Sequence, residues 1–209
     1  MTYTRAIGIG ANKIVILIVR GLALSRIHPN VLTFIGLLIN IAAAVLLAAG
    51  KFVIAALVII GAGIFDMVDG RVARETNRVT RFGGFFDSVL DRYSDLALLM
   101  GLLVYYASIG RFFYVVLTAV VMTASVMVSY TRARAENTIP VCKIGFMERP
   151  ERIVLLIIGA LADRMAAVLW VIAVLGNVTV IQRMIHTYQE ARRLEDAQLR
   201  PAPADRISQ

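Results

Sequence analysis

Residues 31–49 are nineteen consecutive positions without a charged side chain. A helix needs roughly 20 mostly apolar residues to cross the hydrocarbon core of a bilayer. Only helices and closed barrels can span it, because every backbone N–H and C=O must find a partner within the protein. Five further segments have this character. Residues 52–65 are apolar and continue into a polar end at 66–74. Residues 83–106 are apolar from Leu96 onward but carry Asp87, Asp91, Arg92 and Asp95. Residues 112–130 and 165–181 are uniformly apolar, while 153–162 is too short alone and must borrow residues from 148–152. No proline interrupts these spans, so each can be one continuous helix. The chain as a whole agrees. It is 59% hydrophobic and 17% charged, against roughly 45–50% and ~25% in soluble domains. Its mean hydropathy is +0.76. A disordered chain is excluded by so much apolar surface, and a disulfide scaffold by the single cysteine, Cys142.

The basic residues test a count of six spans. With both termini on one side, Arg5, Lys13, Arg20 and Arg26 precede the first span, and Arg71, Arg74, Arg78 and Arg81 follow the second. Arg132, Arg134, Lys143, Arg149 and Arg152 follow the fourth, and Arg183, Arg192, Arg193, Arg200 and Arg206 follow the sixth. Those eighteen face Lys51, Arg111 and Arg164 on the other side. Cytoplasmic loops carry the excess of Lys and Arg, so the termini are expected in the cytoplasm. Residues 14–24 are apolar but bracketed and broken by Lys13, Arg20 and Arg26, the pattern of a helix lying in the interface. The expected fold is therefore an all-α membrane protein with six transmembrane helices preceded by an N-terminal interfacial amphipathic helix. Residues 1–28 form that helix, 29–186 the six-helix domain, and 187–209 a cytoplasmic tail that frays from Gln189 onward.

Four aspartates break the apolar pattern. Asp66 and Asp69 are three apart and Asp87 and Asp91 four apart, so each pair shares a helix face. A short basic linker makes the two helices antiparallel neighbours, and the pairs then lie at similar depth near the cytoplasmic surface. An aspartate within a membrane helix costs roughly 2.5–3.5 kcal/mol, and four together repel one another. Salt bridges to Arg71, Arg74 or Arg92 account for one such aspartate more readily than for four. Divalent cations are the simpler relief. Oxygen-only ligands suit Mg²⁺, Mn²⁺ or Ca²⁺ rather than zinc, and two such ions serve phosphoryl chemistry. Gly70, Ala73, Gly83 and Gly84 are small, which lets a ligand or a neighbouring helix approach the backbone.

The run Asp66-x₂-Asp69-Gly70-x₂-Ala73-Arg74-x₈-Gly83-x₃-Asp87-x₃-Asp91 places eight fixed residues within 26 positions. It resembles the signature of the CDP-alcohol phosphatidyltransferase family at every fixed position. The resemblance implies an α-helical membrane enzyme, often a homodimer, that moves a phosphatidyl group from a CDP-linked lipid to an alcohol and releases CMP. It implies that Asp66, Asp69 and Asp87 are metal ligands for two Mg²⁺ or Mn²⁺ ions. Asp91 is then a ligand, or the general base that deprotonates the acceptor. Asp69, Gly70, Ala73, Arg74 and Gly83 become the CDP-lipid site. Pro29-Asn30-Val31-Leu32-Thr33 is similar to the segment opening the first helix in many members, and Thr33 there reaches a phosphate or the cytidine; Pro29 and Asn30 equally suit a plain helix start.

The acceptor is less tightly specified. The loop after the fourth span is strongly cationic, and clustered arginines beside a reactive pocket favour a phosphate monoester. Positive-inside bias explains scattered arginines as well, but the interspersed Glu136, Glu148 and Glu151 argue for built ion pairs. The runs Ser129-Tyr130-x-Arg132-Ala133-Arg134-Ala135-Glu136 and Phe146-x-Glu148-Arg149-Pro150-Glu151-Arg152 are similar to those of the prokaryotic phosphatidylinositol phosphate synthase branch. That likeness implies an inositol phosphate acceptor held by Arg132, Arg152 and Arg183, with Arg134, Lys143 and Arg149 in support. Arg132 stands where relatives are expected to carry lysine. Glycerol 3-phosphate, the acceptor of phosphatidylglycerophosphate synthases, is the alternative substrate. A small intramembrane metal transporter is the alternative class, although such proteins usually hold ions near the midplane. The expected partners are CDP-diacylglycerol, the phosphorylated acceptor, membrane lipids and a second copy of the chain. The expected location is the cytoplasmic (inner) membrane, with the active site facing the cytoplasm.

Overall fold

The computed structural model describes residues 29–75 and 80–199, with side chains over 30–66 and 80–197. The described residues form six helices and no strand: α1 (Pro29–Ala48), α2 (Phe52–Glu75), α3 (Arg81–Ser108), α4 (Phe112–Ala135), α5 (Arg149–Leu161) and α6 (Met165–Leu199). The expected interfacial helix and the 1–28 unit lie outside the described residues.

Local chemistry sets the helix ends. Pro29 opens α1, where its fixed φ suits a first turn and its missing N–H costs nothing. Pro150 does the same in the first turn of α5. Thr80 caps α3: its side-chain oxygen accepts from the Gly83 N–H at 2.9 Å. Gly110 takes a left-handed φ of 69° in the tight turn between α3 and α4, a conformation glycine adopts without steric penalty.

The core joins small and branched residues across helices: Ala43 and Leu47 of α1, Ala55 and Ile59 of α2, Leu98 and Leu102 of α3, Val121 of α4, and Leu169 of α6. α1 packs most extensively on α3 and α2, and α4 on α6. Gly101 lets α3 approach α1 so closely that a Cβ there would collide with the Ala44 carbonyl. Small residues at such crossings are how membrane helices gain packing without a hydrophobic driving force. The outer faces are apolar too: Val45 is 64% exposed and Leu57 60% exposed, as expected for surfaces that meet lipid.

This is a multi-pass membrane protein. Among the described residues three helices are long and apolar enough to span a bilayer: Asn30–Ala48, Phe112–Ala135 and Met165–Ala197. Phe52–Asp66 is a shorter apolar helix, α3 carries the acids, and α5 has only 13 residues. The six expected segments are all helical, but they are not equivalent spans. The expected limit at 186 falls inside α6, which runs unbroken through Gln189 to Leu199. The reason is composition: residues 189–199 are rich in Ala, Leu, Glu, Gln and Arg, the strongest helix formers.

Candidate active site

The acids and arginines meet at one end of the bundle, with α2 to α6 contributing. α2 delivers Asp66. α3 delivers Asp87, Asp91 and Asp95, and α5 delivers Arg149 and Arg152 from its first turn. Arg149 carries a single guanidinium onto three carboxylates. Nη1 meets Asp91 Oδ1 at 2.9 Å, Nη2 meets Asp66 Oδ2 at 3.2 Å, and Nε meets Asp95 Oδ1 at 3.2 Å. Asp66 and Asp91 therefore lie close enough to share one positive charge. Asp87 forms no ion pair among the described residues, but its charge acts on both of them.

α1 supports this cluster from behind. A Cβ on Gly36 would lie 2.9 Å from Asp66 Oδ1, so the carboxylate rests directly on the α1 backbone. Asn30 lies beside Gly83: its Oδ1 is 3.4 Å from where a Gly83 Cβ would be. Asp69, Gly70, Ala73 and Arg74 sit on the helical backbone of α2, and their side chains lie outside the described set. Thr33 is in α1, within one turn of Gly36.

A second network adjoins the first. Glu148 Oε1 accepts from Arg132 Nη1 and from Arg183 Nη2, each at 2.9 Å. Arg132 is further paired with Glu136 at 3.1 Å. Arg183 is only 1% exposed; its Nε donates to the Ile144 carbonyl at 2.9 Å, and its Nη1 donates to the Val128 carbonyl. Between the two networks lies a cavity of about 430 Å³ whose wall includes Asp91, Arg92, Arg132, Glu148, Arg149 and Arg183. Three carboxylates, Asp91, Glu136 and Glu148, and four guanidiniums thus face a common space.

The residues expected from sequence divide accordingly. Asp66 and Asp91 come together around Arg149, and Arg132, Arg149 and Arg183 reach the cavity. Arg152 does not line it. It is 4% exposed and engaged with Asp95 Oδ2 at 2.7 Å and the Met147 carbonyl at 3.2 Å. Arg134 faces a different, mostly apolar cavity between α4 and α6, and Lys143 is exposed and lines neither. Asp95 and Gly36 were not expected to take part, whereas Glu148 makes the ion pairs expected of it. Asp95 had a visible signal, since it continues the spacing of Asp87 and Asp91 by one more turn.

Among the described residues no group of three or more carboxylate, histidine or thiol ligands is assembled as a metal centre. The donor set nevertheless fits a hard divalent cation: it is made of carboxylate oxygens alone, and Asp66 and Asp91 already share one cationic group.

An all-helical membrane protein with acids and arginines converging at one end of its bundle is the class defined by fold and site. The chain belongs to the CDP-alcohol phosphatidyltransferase family, whose model matches residues 26–188, and it is a transferase. That membership replaces the transporter reading. The chain is 38% identical over 167 residues to the archaetidylinositol phosphate synthase of Methanothermobacter thermautotrophicus, covering 77% of this chain and 83% of the relative. It is 34% identical over 200 residues to the phosphatidylinositol phosphate synthase of Mycobacterium tuberculosis, covering 90% and 92%. The crystal structure of the Mycobacterium tuberculosis enzyme with CDP-DAG bound matches with a TM-score of 0.78 at 31% identity, over 94% of this chain and 100% of that one. The same enzyme in complex with manganese and citrate matches with a TM-score of 0.73 at 32% identity, over 91% and 92%.

Proposed function

We propose that the enzyme transfers a phosphatidyl group from CDP-diacylglycerol to myo-inositol 1-phosphate, giving phosphatidylinositol phosphate and CMP. The observation that carries this reading is the shared cavity of Asp91 with Arg132, Arg149 and Arg183. A phosphate monoester needs opposed cationic forks, and a hydroxyl nucleophile needs a carboxylate beside it. Arg132 and Arg183 bind the acceptor's phosphate, joined by the free N–H groups of Arg149. This orients an inositol hydroxyl toward Asp91, which takes its proton. The hydroxyl oxygen bonds to the phosphorus next to diacylglycerol, the bond to the CMP phosphate breaks, and CMP departs with that electron pair.

Asp66, Asp69, Asp87 and Asp91 hold two Mg²⁺ or Mn²⁺ ions, which supply charge neutralisation at the diphosphate. Thr33, Asp69, Gly70, Ala73, Arg74 and Gly83 hold the CDP moiety. Arg152 acts behind the cavity rather than in it, and Arg134 and Lys143 add to the positive field at its approach. The enzyme works in the cytoplasmic membrane as a homodimer, with the cavity opening to the cytoplasm and residues 29–186 as its catalytic domain. The excess of Arg and Lys at that end supports this orientation.

The test is an acceptor panel. Purified protein with Mn²⁺ and CDP-diacylglycerol is offered myo-inositol 1-phosphate, glycerol 3-phosphate, free inositol and serine, and CMP release is measured. Release with inositol phosphate alone is expected. Release with glycerol 3-phosphate alone replaces the acceptor; release with none of them, from folded protein and intact donor, removes the function.

A further inference from the structure

Asp95 lies outside the eight-residue signature, one helical turn beyond Asp91, and is 6% exposed. Its two oxygens serve two arginines of a single α5 turn. Oδ1 accepts from Arg149 Nε at 3.2 Å, and Oδ2 accepts from Arg152 Nη2 at 2.7 Å. A guanidinium is a rigid plane with five N–H donors in fixed directions. Holding its Nε therefore sets where its terminal nitrogens point. In Arg149 one N–H goes to each of Asp95, Asp91 and Asp66. Two donors remain, one on each terminal nitrogen, on a residue that lines the cavity beside Asp91. Arg152 is 4% exposed and does not line that cavity; with Asp95 and the Met147 carbonyl as partners it pins the start of α5 to α3.

We propose that Asp95 is a positioning residue for the acceptor: by gripping Arg149 and Arg152 together, it aims the remaining N–H groups of Arg149 at the acceptor's phosphate. The inference rests on the reading of the cavity as the acceptor site. It also has a sign that charge alone does not share. Removing a carboxylate beside a phosphate site raises the local positive potential, so pure electrostatics predicts tighter anion binding when Asp95 is neutralised. Loss of aim predicts weaker binding. Asp95→Glu separates the two further, because it keeps the charge and the buried pairing but displaces the carboxylate by one methylene.

The experiment is calorimetric titration of full-length protein in detergent with myo-inositol 1-phosphate, without donor lipid, alongside steady-state KM values for both substrates. Asp95→Asn is expected to weaken acceptor binding roughly 10- to 100-fold, the scale seen when the support of a binding side chain is removed. Asp95→Glu is expected to weaken it by a smaller factor, with the KM for CDP-diacylglycerol unchanged in both variants. Wild-type affinity in Asp95→Glu, or tighter binding in Asp95→Asn, overturns the proposal. Should Asp95→Asn fail to fold, Asp95→Glu decides the matter alone. An Arg132→Ala control locates any failure. If that variant binds inositol phosphate as wild type does, the cavity is not the acceptor site and both readings fall; if it does not, a null result in Asp95→Glu counts against Asp95 only.

Discussion

Gly36→Ala adds one methyl group at the back of the acid cluster. The new Cβ would lie 2.9 Å from Asp66 Oδ1, and relaxed contact needs about 3.5 Å. The pair must therefore separate by roughly half an ångström, through rotation of the carboxylate or parting of α1 from α2. Overpacking of this kind costs about 1–3 kcal/mol. Because Asp66 also holds Arg149, movement there disturbs both the acids and the guanidinium that spans them. If half of that cost falls on the carboxylate's ability to bind a cation, the apparent Mn²⁺ affinity drops about twofold to twelvefold, since 1.4 kcal/mol is a factor of ten. The assay is CMP release titrated with Mn²⁺, with a melting curve of the same preparation. Gly61→Ala is the matched control, on the next helix with nothing within 4 Å of its added Cβ. It should leave the Mn²⁺ titration unchanged and hold or raise the melting temperature, alanine being the better helix former by up to about 1 kcal/mol. A Mn²⁺ dependence in Gly36→Ala identical to wild type would refute the claim that α1 supports the metal-binding carboxylate.

Other outcomes follow from the same geometry. EDTA should abolish CMP release and added Mn²⁺ restore it, while Asp91→Asn should stay inactive at any Mn²⁺ concentration with an unchanged fold by circular dichroism. Arg132→Ala and Arg183→Ala should both raise the acceptor KM well above any change in the donor KM. They should differ in stability: Arg132 is partly exposed, whereas losing Arg183 strips a donor from the Ile144 and Val128 carbonyls, at about 1–3 kcal/mol per group left unsatisfied. A melting temperature equally low in both, or lowered in neither, would contradict the burial difference.

The helices and the signature were legible because their information is local. Apolar runs and aspartates three or four apart are read within a turn or two of chain. The partition of the arginines was not. Arg149, Arg152 and Arg132 carry the same charge in the same stretch, and only contacts over 54, 57 and 16 residues of sequence separate their roles. Periodicity is blind to such distances. Asp95 was visible as a charge in an apolar helix, but nothing in α3 alone names its partners on α5. Gly36 looked like any small residue in a membrane helix until Asp66 was found lying against it. The end of α6 is a different case: the polar stretch from Gln189 was read as fraying, when residues 189–199 favour helix regardless of the membrane.

The brevity of α5 has its own consequence. Thirteen residues rise about 20 Å, short of the ~30 Å hydrocarbon layer, and the irregular stretch 136–148 leads into that helix. Backbone outside a helix needs other partners wherever it is buried. Thr179 takes the Met147 N–H at 3.2 Å, Arg152 serves the Met147 carbonyl, and Arg183 serves that of Ile144. Arg183, whose guanidinium lines the cavity, is thus also scaffolding for the segment beside it. Retuning the enzyme toward an uncharged alcohol by exchanging that side chain would also unstitch the segment, unless new donors were grafted in alongside.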